Sequence, residues 1–352
     1  MPNDFVILFG GSCSERRVSV ASAQHLTALL PDASCWFWAV DGRVFDITPA
    51  QLTAHQKPFE ADFVPDGKPA YASLEAALDD ATPAQTFMLA LHGGAGEDGT
   101  VQALLEERRL YFTGSGATAS RRAFDKVAAK KCVHTRGVRT AEASIVSGAK
   151  RDEARAAILA LQKQFGRVVV KPVADGSSAG LIFVGNDAEL ATAVKQLEQY
   201  PQTEHLAEAF LSGTELTVGV VEMENGPRAL PCSEVRVERG RAFDFAGKYL
   251  GAGTREITPA EVPAAAHEAA GKVAIAAHES TGCRGYSRSD MILTADGLVF
   301  LEINNLPGLT RASFIPQQLA AAGISMQEFL SRQVALARSR YLVALGKSTR
   351  AS

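Results

Sequence analysis

Residues 287–310 read SRSDMILTADGLVFLEINNLPGLT, and within them Arg288, Asp290, Glu302 and Asn304 recur at the spacing of a two-stranded sheet. Two apolar runs flank Ala295, Asp296 and Gly297, the pattern of a β-hairpin closed by a three-residue loop with Gly297 in the left-handed conformation. Antiparallel partners keep a constant sum of residue numbers. With Thr294 opposite Leu298, Asp290 therefore faces Glu302 and Arg288 faces Asn304. Four polar groups then share one face, and Met291, Leu293, Val299, Leu301 and Ile303 share the other. A two-residue Asp296-Gly297 turn is the rival, and it sends Asp290 and Glu302 to opposite faces. The first register is preferred because the second places a carboxylate or several large apolar side chains on the wrong side. Two carboxylates and an amide oxygen beside an arginine fit a hard cation such as Mg²⁺ and a phosphate-bearing ligand. A hairpin with an ordinary wet face carries the same pattern.

Those groups need a frame, and the rest of the chain supplies the signs of one. Residues 5–9 are an apolar run ending at Gly10-Gly11, followed by Ser12, Cys13, Ser14 and Glu15 and a helical pattern to Leu30. This predicts a buried parallel strand, a tight turn and a helix N-terminus. Open α/β sheets bind ligands at such strand ends. Ser12 or Ser14 is expected to cap the helix, with Glu15 in its first turn favouring the dipole. Residues 35–85 are irregular, with short strands and one helix near 73–78, and carry no readable function. A second buried strand at 87–91 runs into His92-Gly93-Gly94-Ala95-Gly96-Glu97-Asp98-Gly99, whose glycines let the backbone approach a ligand. His92 at that mouth is either a satisfied polar group or a substrate contact. A helix is expected over 101–108.

Around residues 119–137 the spacing predicts one basic amphipathic helix carrying Lys126, Lys130 and Lys131, most of which should be solvated. The strand at 168–170 leads into Lys171-Pro172 and the loop from Ala174 to Gly180, a credible phosphate clamp in which backbone N–H groups and hydroxyls surround oxygens beside a cationic side chain. It does not match the Walker P-loop, and Gly10-Gly11 does not match the dinucleotide fingerprint. A helix over 187–199, a strand over 205–211 and a long β-rich run over 214–222 follow, with Glu208 and Glu215 around the turn between the strands. Residues 245–253 have the glycine density of a lid. A helix over 263–281 returns the chain to the hairpin.

Length and charge narrow the class. A chain of 352 residues accommodates two or three domains, and a formal net charge of -3 with mixed signs gives no long-range attraction to nucleic acid or anionic membrane. The five cysteines are odd in number and lack metal spacing, so they read as reduced cytosolic thiols. The start of the chain lacks the features of a signal peptide, and no apolar run approaches the roughly 20 residues of a membrane span. A cytoplasmic protein is expected.

Taken in order, FGGSCSERRVS, LHGGAGEDGTVQ, YFTGSG, FDK, VVVKPVADGSSAG, AEAFLSGTELTV, GKYL, SRSDM and LEINNLPGLT resemble the D-alanine–D-alanine ligases of the ATP-grasp superfamily. The resemblance implies an α/β (α+β) fold of three domains. These are an N-terminal parallel α/β domain at 1–118, a central domain at 119–211 and a C-terminal domain at 212–340, with a tail at 341–352 and ATP between the last two domains. It implies that Lys126 and Lys171 bind phosphate, with Gly176, Ser177 and Ser178 looping over it. Glu208 and the backbone of Ala209 to Leu211 would receive adenine, and Glu215 the ribose. Asp290, Glu302 and Asn304 would hold two Mg²⁺, or Mn²⁺. Arg288 and the Gly308 N–H would stabilise the oxyanion, while Glu15, Ser177 and Tyr249 would hold the first substrate's ammonium with His92 nearby. Lys248 and Ser313 would receive the second substrate's carboxylate, next to Phe314. The implied reaction joins two D-alanines through an acylphosphate for peptidoglycan synthesis, in a homodimer.

The sequence departs from the family in three places. Ala209 stands where lysine is common, Phe314 where Leu or Met is usual, and Asn305-Leu306 where a Thr-Ser-like pair is commoner. Phe314 therefore keeps open a ligase for a different amino-acid pair. A nucleotide-binding protein without chemistry is the other alternative, disfavoured because Lys126, Lys171, Arg288, Asp290, Glu302 and Asn304 are all present.

Overall fold

The computed structural model describes residues 5–175, 180–237 and 254–341. Its first sheet comprises β1 (Phe5–Gly10), β2 (Ser34–Trp38), β3 (Val44–Ile47), β4 (Thr86–Leu89) and β5 (Tyr111–Phe112), in the order β3-β2-β1-β4-β5. β1 is parallel to β2 and β4, and only β3 runs antiparallel to its neighbour. Val6, Ile7, Leu8 and Phe9 are wholly buried, as a parallel strand covered on both faces requires. The helices here are α1 (Arg16–Leu29), α2 (Pro49–Ala54), α3 (Leu74–Asp79) and α4 (Thr100–Glu107). α2 was not anticipated, although its start is written in the sequence: Thr48 and Gln51 form a capping box around Pro49.

Neither Ser12 nor Ser14 caps α1, contrary to expectation. Glu15 occupies the N-cap position without a side-chain cap bond, and its carboxylate turns instead into the cleft described below.

The expected single helix over 119–137 is two, α5 (Ala117–Phe124) and α6 (Lys126–His134). Asp125 adopts an extended ψ of 107° between them, and its side chain accepts a bond from the Ala128 N–H. The break puts Lys126 at the start of a new helix, where its N–H donates to the Val173 carbonyl.

A second sheet follows, built from β6 (Ala143–Ser147), β7 (Val168–Pro172), β8 (Ile182–Val184) and β9 (Glu204–Ala209) in the order β6-β9-β7-β8. All its pairs are antiparallel, and α7 (Arg151–Phe165) and α8 (Asp187–Glu198) cover one face through Ile158, Leu161, Leu190 and Leu197. The third sheet holds β10 (Thr214–Met223), β11 (Gly226–Ala229), β12 (Ser233–Val237), β13 (Thr254–Ile257), β14 (Tyr286–Thr294) and β15 (Gly297–Asn304). Its order is β13-β12-β10-β14-β15, with β11 also on β10. α9 (Ala264–Thr281), α10 (Phe314–Ala321) and α11 (Met326–Ser339) complete the described chain. Ala129 and Val133 of α6 pack with Ala277, Phe300 and Ile303, so the helix carrying Lys126 rests on the hairpin that carries Glu302.

The hairpin has the expected functional pairs but not the expected turn. Thr294 pairs with Gly297 rather than Leu298, leaving Ala295 and Asp296 as a two-residue turn. Thr294 Oγ1 closes it, accepting from the Asp296 N–H and donating to the Gly297 carbonyl. A bulge then places Leu301 as an extra residue on β15, which restores Asp290 opposite Glu302 and Arg288 opposite Asn304. The apolar face is altered accordingly. Met291, Val299 and Ile303 are buried, whereas Leu293 and Leu301 are half-buried and Phe300 is wholly enclosed.

Candidate active site

Where the three sheets meet there is a cleft. Its walls take Glu15 from the turn before α1, His92 and Glu97 from the loop after β4, and Lys126 from α6. The third sheet contributes Glu215 and Thr217 of β10, Arg288 and Asp290 of β14, and Glu302 and Asn304 of β15, while Gly308, Ser313 and Phe314 close the far end. Residues opposite one another on neighbouring strands share a face. Thr217, Asp290 and Glu302 therefore form one row across three strands, and Arg288 with Asn304 forms the next.

Charge is closely matched along these rows. The Arg288 guanidinium donates through Nε and Nη2 to the Asp290 carboxylate at 3.0 and 2.9 Å, and Thr217 Oγ1 donates to the same carboxylate at 2.5 Å. Lys126 Nζ lies 3.5 Å from Glu302 and donates to the Asp175 carbonyl at 2.6 Å. The Phe314 ring stands 5.8 Å from the Arg288 guanidinium carbon, a cation–π distance that fixes both side chains at the cleft's end. A Cβ on Gly308 would lie 2.6 Å from Ser313 Oγ, so glycine lets that hydroxyl sit against the backbone, where it also meets Thr310 Oγ1 at 2.8 Å.

Lys171, Glu208, Ala209 and Leu211 lie on β7 and β9 or just beyond, outside the cleft lining formed by the described residues. Glu208 is buried between two ammonium groups, Lys171 Nζ at 2.6 Å and Lys130 Nζ at 2.7 Å. Burial alone would lower Lys171, but the Glu208 and Glu302 carboxylates outweigh it and hold it above the ordinary lysine value. Lys130 is pushed down by its burial despite Glu208. The expectation of a solvated helix face fails for Lys126 and Lys130, which are both buried, and holds for Lys131. Ala209 donates its N–H to the Glu142 carbonyl. Gly176, Ser177, Ser178, Lys248 and Tyr249 lie outside the described residues.

His92 is enclosed, with Nε2 3.0 Å from Ser22 Oγ and Nδ1 3.1 Å from the Leu306 carbonyl. A carbonyl only accepts, so Nδ1 carries the proton and Nε2 accepts from Ser22. Burial, together with the Arg288 charge, pushes His92 down to about 4. Glu97 was not singled out from the sequence, yet it is buried on the same wall. It accepts from the Gly93 N–H at 3.0 Å, and its backbone carbonyl accepts from Asn305 Nδ2 at 3.2 Å. Burial and the neighbouring Glu15 carboxylate push it up to about 8. Glu15 and Glu97 thus make a dry acidic corner suited to a substrate ammonium.

Glu97 and His92 have opposite effects on stability as the pH changes. The unfolded chain releases the Glu97 proton near 4.5 and the folded chain only near 8, so stability falls as pH rises between them. His92 binds its proton near 6.5 unfolded and near 4 folded, so its contribution rises with pH across that lower range. Above the histidine range only the Glu97 effect remains. Urea unfolding of the ligand-free protein is expected to show declining stability from about pH 6.5 to 8, and Glu97→Gln should flatten that decline. A variant with the wild-type slope would rule out Glu97 as its source.

The N-terminal model of the D-ala D-ala ligase family matches residues 4–115 and the C-terminal model matches residues 133–335. A D-alanine–D-alanine ligase of Desulforudis audaxviator is 32% identical over 334 residues, covering 95% of this chain and 98% of its own. Among solved structures, the VanG D-Ala:D-Ser ligase of Enterococcus faecalis superposes with a TM-score of 0.79 at 24% identity, covering 96% of this chain and 100% of its own. The D-alanine–D-alanine ligase of Coxiella burnetii gives a TM-score of 0.79 at 23% identity, with 100% of each chain covered. Both structures share the fold of this chain.

Proposed function

Since the chain belongs to the D-alanine–D-alanine ligase family, we propose that it joins two D-alanines into D-alanyl-D-alanine for peptidoglycan synthesis, activating the first as an acylphosphate at the expense of ATP. The observation that carries this reading is one cleft in which an acidic corner, a pair of carboxylates and an arginine converge. Glu15 and Glu97 bind the first substrate's ammonium. Its carboxylate then lies toward Arg288 and Lys126, where it attacks the γ-phosphate of ATP and ADP departs. Lys126 and Lys171 balance charge on the phosphates, assisted by the loop of Gly176, Ser177 and Ser178. Glu208, Ala209, Leu211 and Glu215 receive the nucleoside.

The donor set fits a divalent cation. Asp290 and Glu302 face one another across β14 and β15, and each already holds a cationic side chain, Arg288 or Lys126. Among the described residues no group of three or more His, Cys, Asp and Glu side chains forms a metal centre, so the third donor would be the Asn304 amide oxygen. Bound there, Mg²⁺ or Mn²⁺ supplies charge neutralisation for the phosphate oxygens.

The second D-alanine enters with its carboxylate toward Ser313 and Lys248, and its amine attacks the acyl carbon. Arg288 and the Gly308 N–H stabilise the oxyanion as phosphate leaves. Tyr249, with Ser177, completes the hold on the first substrate. The domain bounds at 118 and 211 are supported by each sheet drawing its strands from one of the three stretches. We place the enzyme in the cytoplasm as a homodimer. Among the described residues no helix is long and apolar enough to cross a membrane.

ADP release that depends on D-alanine, with the dipeptide detected by mass spectrometry, is the expected result. Absence of dipeptide at saturating ATP and D-alanine would overturn the assignment. The ring of Phe314 against Arg288 favours testing a second reading, a ligase with another second amino acid. A panel of D- and L-amino acids as second substrate separates the two.

A further inference from the structure

β10 changes neighbours along its length. Glu215, Leu216 and Thr217 pair with β12, whereas Val220 to Met223 pair with β11. At the changeover a side chain takes the place of a strand. Gln318 of α10 is wholly buried there, its Oε1 accepting from the Gly219 N–H at 2.8 Å and its Nε2 donating to the Thr217 carbonyl and to Ser233 Oγ, each at 2.9 Å. Its carboxamide sets an N–H beside a C=O, as a peptide group does, and has a second N–H left for Ser233. A Cβ at residue 219 would lie 2.7 Å from Gln318 Oε1, so glycine admits this contact.

The Thr217 backbone is thereby held on one side, and its side chain acts on the other. Thr217 stands directly opposite Asp290 on the neighbouring strand, and its buried hydroxyl donates to Asp290 Oδ1. Asp290 Oδ1 also receives Arg288 Nε, and Oδ2 receives Arg288 Nη2. Arg288 reaches both oxygens, so a cation that binds Oδ2 must displace Nη2, whereas the neutral Thr217 hydroxyl can stay on Oδ1 and keep the carboxylate oriented. We propose that Thr217, held in place by Gln318, is a positioning residue that orients the Asp290 carboxylate toward the divalent cation.

This rests on the cation reading given above, and the experiment separates the two. Mn²⁺ binding in the presence of ADP, followed by the electron paramagnetic resonance of free Mn²⁺, is compared for wild type, Thr217→Val and Thr217→Ser. The valine variant keeps shape and loses the hydroxyl, and it should bind Mn²⁺ about tenfold more weakly. The serine variant restores the donor and should bind within about twofold of wild type. Valine binding as tightly as wild type overturns the proposal, as does serine binding as weakly as valine. Should the valine variant fail to fold, Thr217→Ala against Thr217→Ser reads the same hydroxyl by the same criteria. Wild type that binds no Mn²⁺ overturns the cation reading itself.

Discussion

Replacing Arg288 by methionine is expected to lower kcat for D-alanine-dependent ADP release by about 10²- to 10³-fold while nucleotide still binds. The guanidinium is held in the cleft by its Nε bond to Asp290 Oδ1 and by the Phe314 ring 5.8 Å from its central carbon, so its charge is in place before negative charge develops there. Methionine keeps the bulk and the apolar contact with Phe314 but removes the charge. Lysine at this position should rescue little, because an ammonium cannot make the paired, planar contact. The same substitution frees the Asp290 oxygens from their cationic partner. Mn²⁺ should therefore bind the methionine variant at least as tightly as wild type, although turnover collapses. A kcat within about threefold of wild type would remove Arg288 from the chemistry, given the 10²-fold scale of such losses.

The site was readable wherever its chemistry follows a local pattern. Alternation along residues 286–304 put Arg288, Asp290, Glu302 and Asn304 on one face, and the structure keeps them there. The turn is one residue tighter than the alternation implies, and the functional pairs survive because the bulge at Leu301 offsets it by one residue. Such compensation leaves little trace in a sequence whose apolar residues tolerate either side. Glu97 was passed over for a related reason. Beside Asp98 in a glycine-rich loop it reads as solvated, and only packing against Gly93 and Asn305 shows it to be enclosed. Its place five residues after His92 at the end of a buried strand was the one available sign. Lys130 reads as a surface lysine in the sequence because its countercharge, Glu208, is distant in the chain and reaches it only through the second sheet. The capping role expected of Ser12 or Ser14 rested on residue type alone, which cannot say where the Glu15 side chain turns.

Glu208 is where that distant pairing should matter most. Glu208→Gln is expected to destabilise the folded protein by about 3–5 kcal/mol, the usual consequence of removing one partner from a buried ion pair. Its carboxylate lies 2.6 Å from Lys171 Nζ and 2.7 Å from Lys130 Nζ, with all three side chains largely withdrawn from water. Glutamine keeps the shape but leaves two buried ammonium groups facing one another without an anion between them. Removing Lys130 as well should recover part of the loss, since Glu208→Gln with Lys130→Met leaves a single ammonium opposite a carboxamide, and residues sharing a network are not additive. Urea denaturation of the wild type, both single variants and the double variant measures this coupling directly. A purely nucleotide-contacting Glu208 predicts something different: a raised KM for ATP with unfolding within about 0.5 kcal/mol of wild type, as for substitutions that disturb no buried network. The two buried ion pairs to lysine argue for the larger effect, because the carboxylate offsets the burial of both ammonium groups.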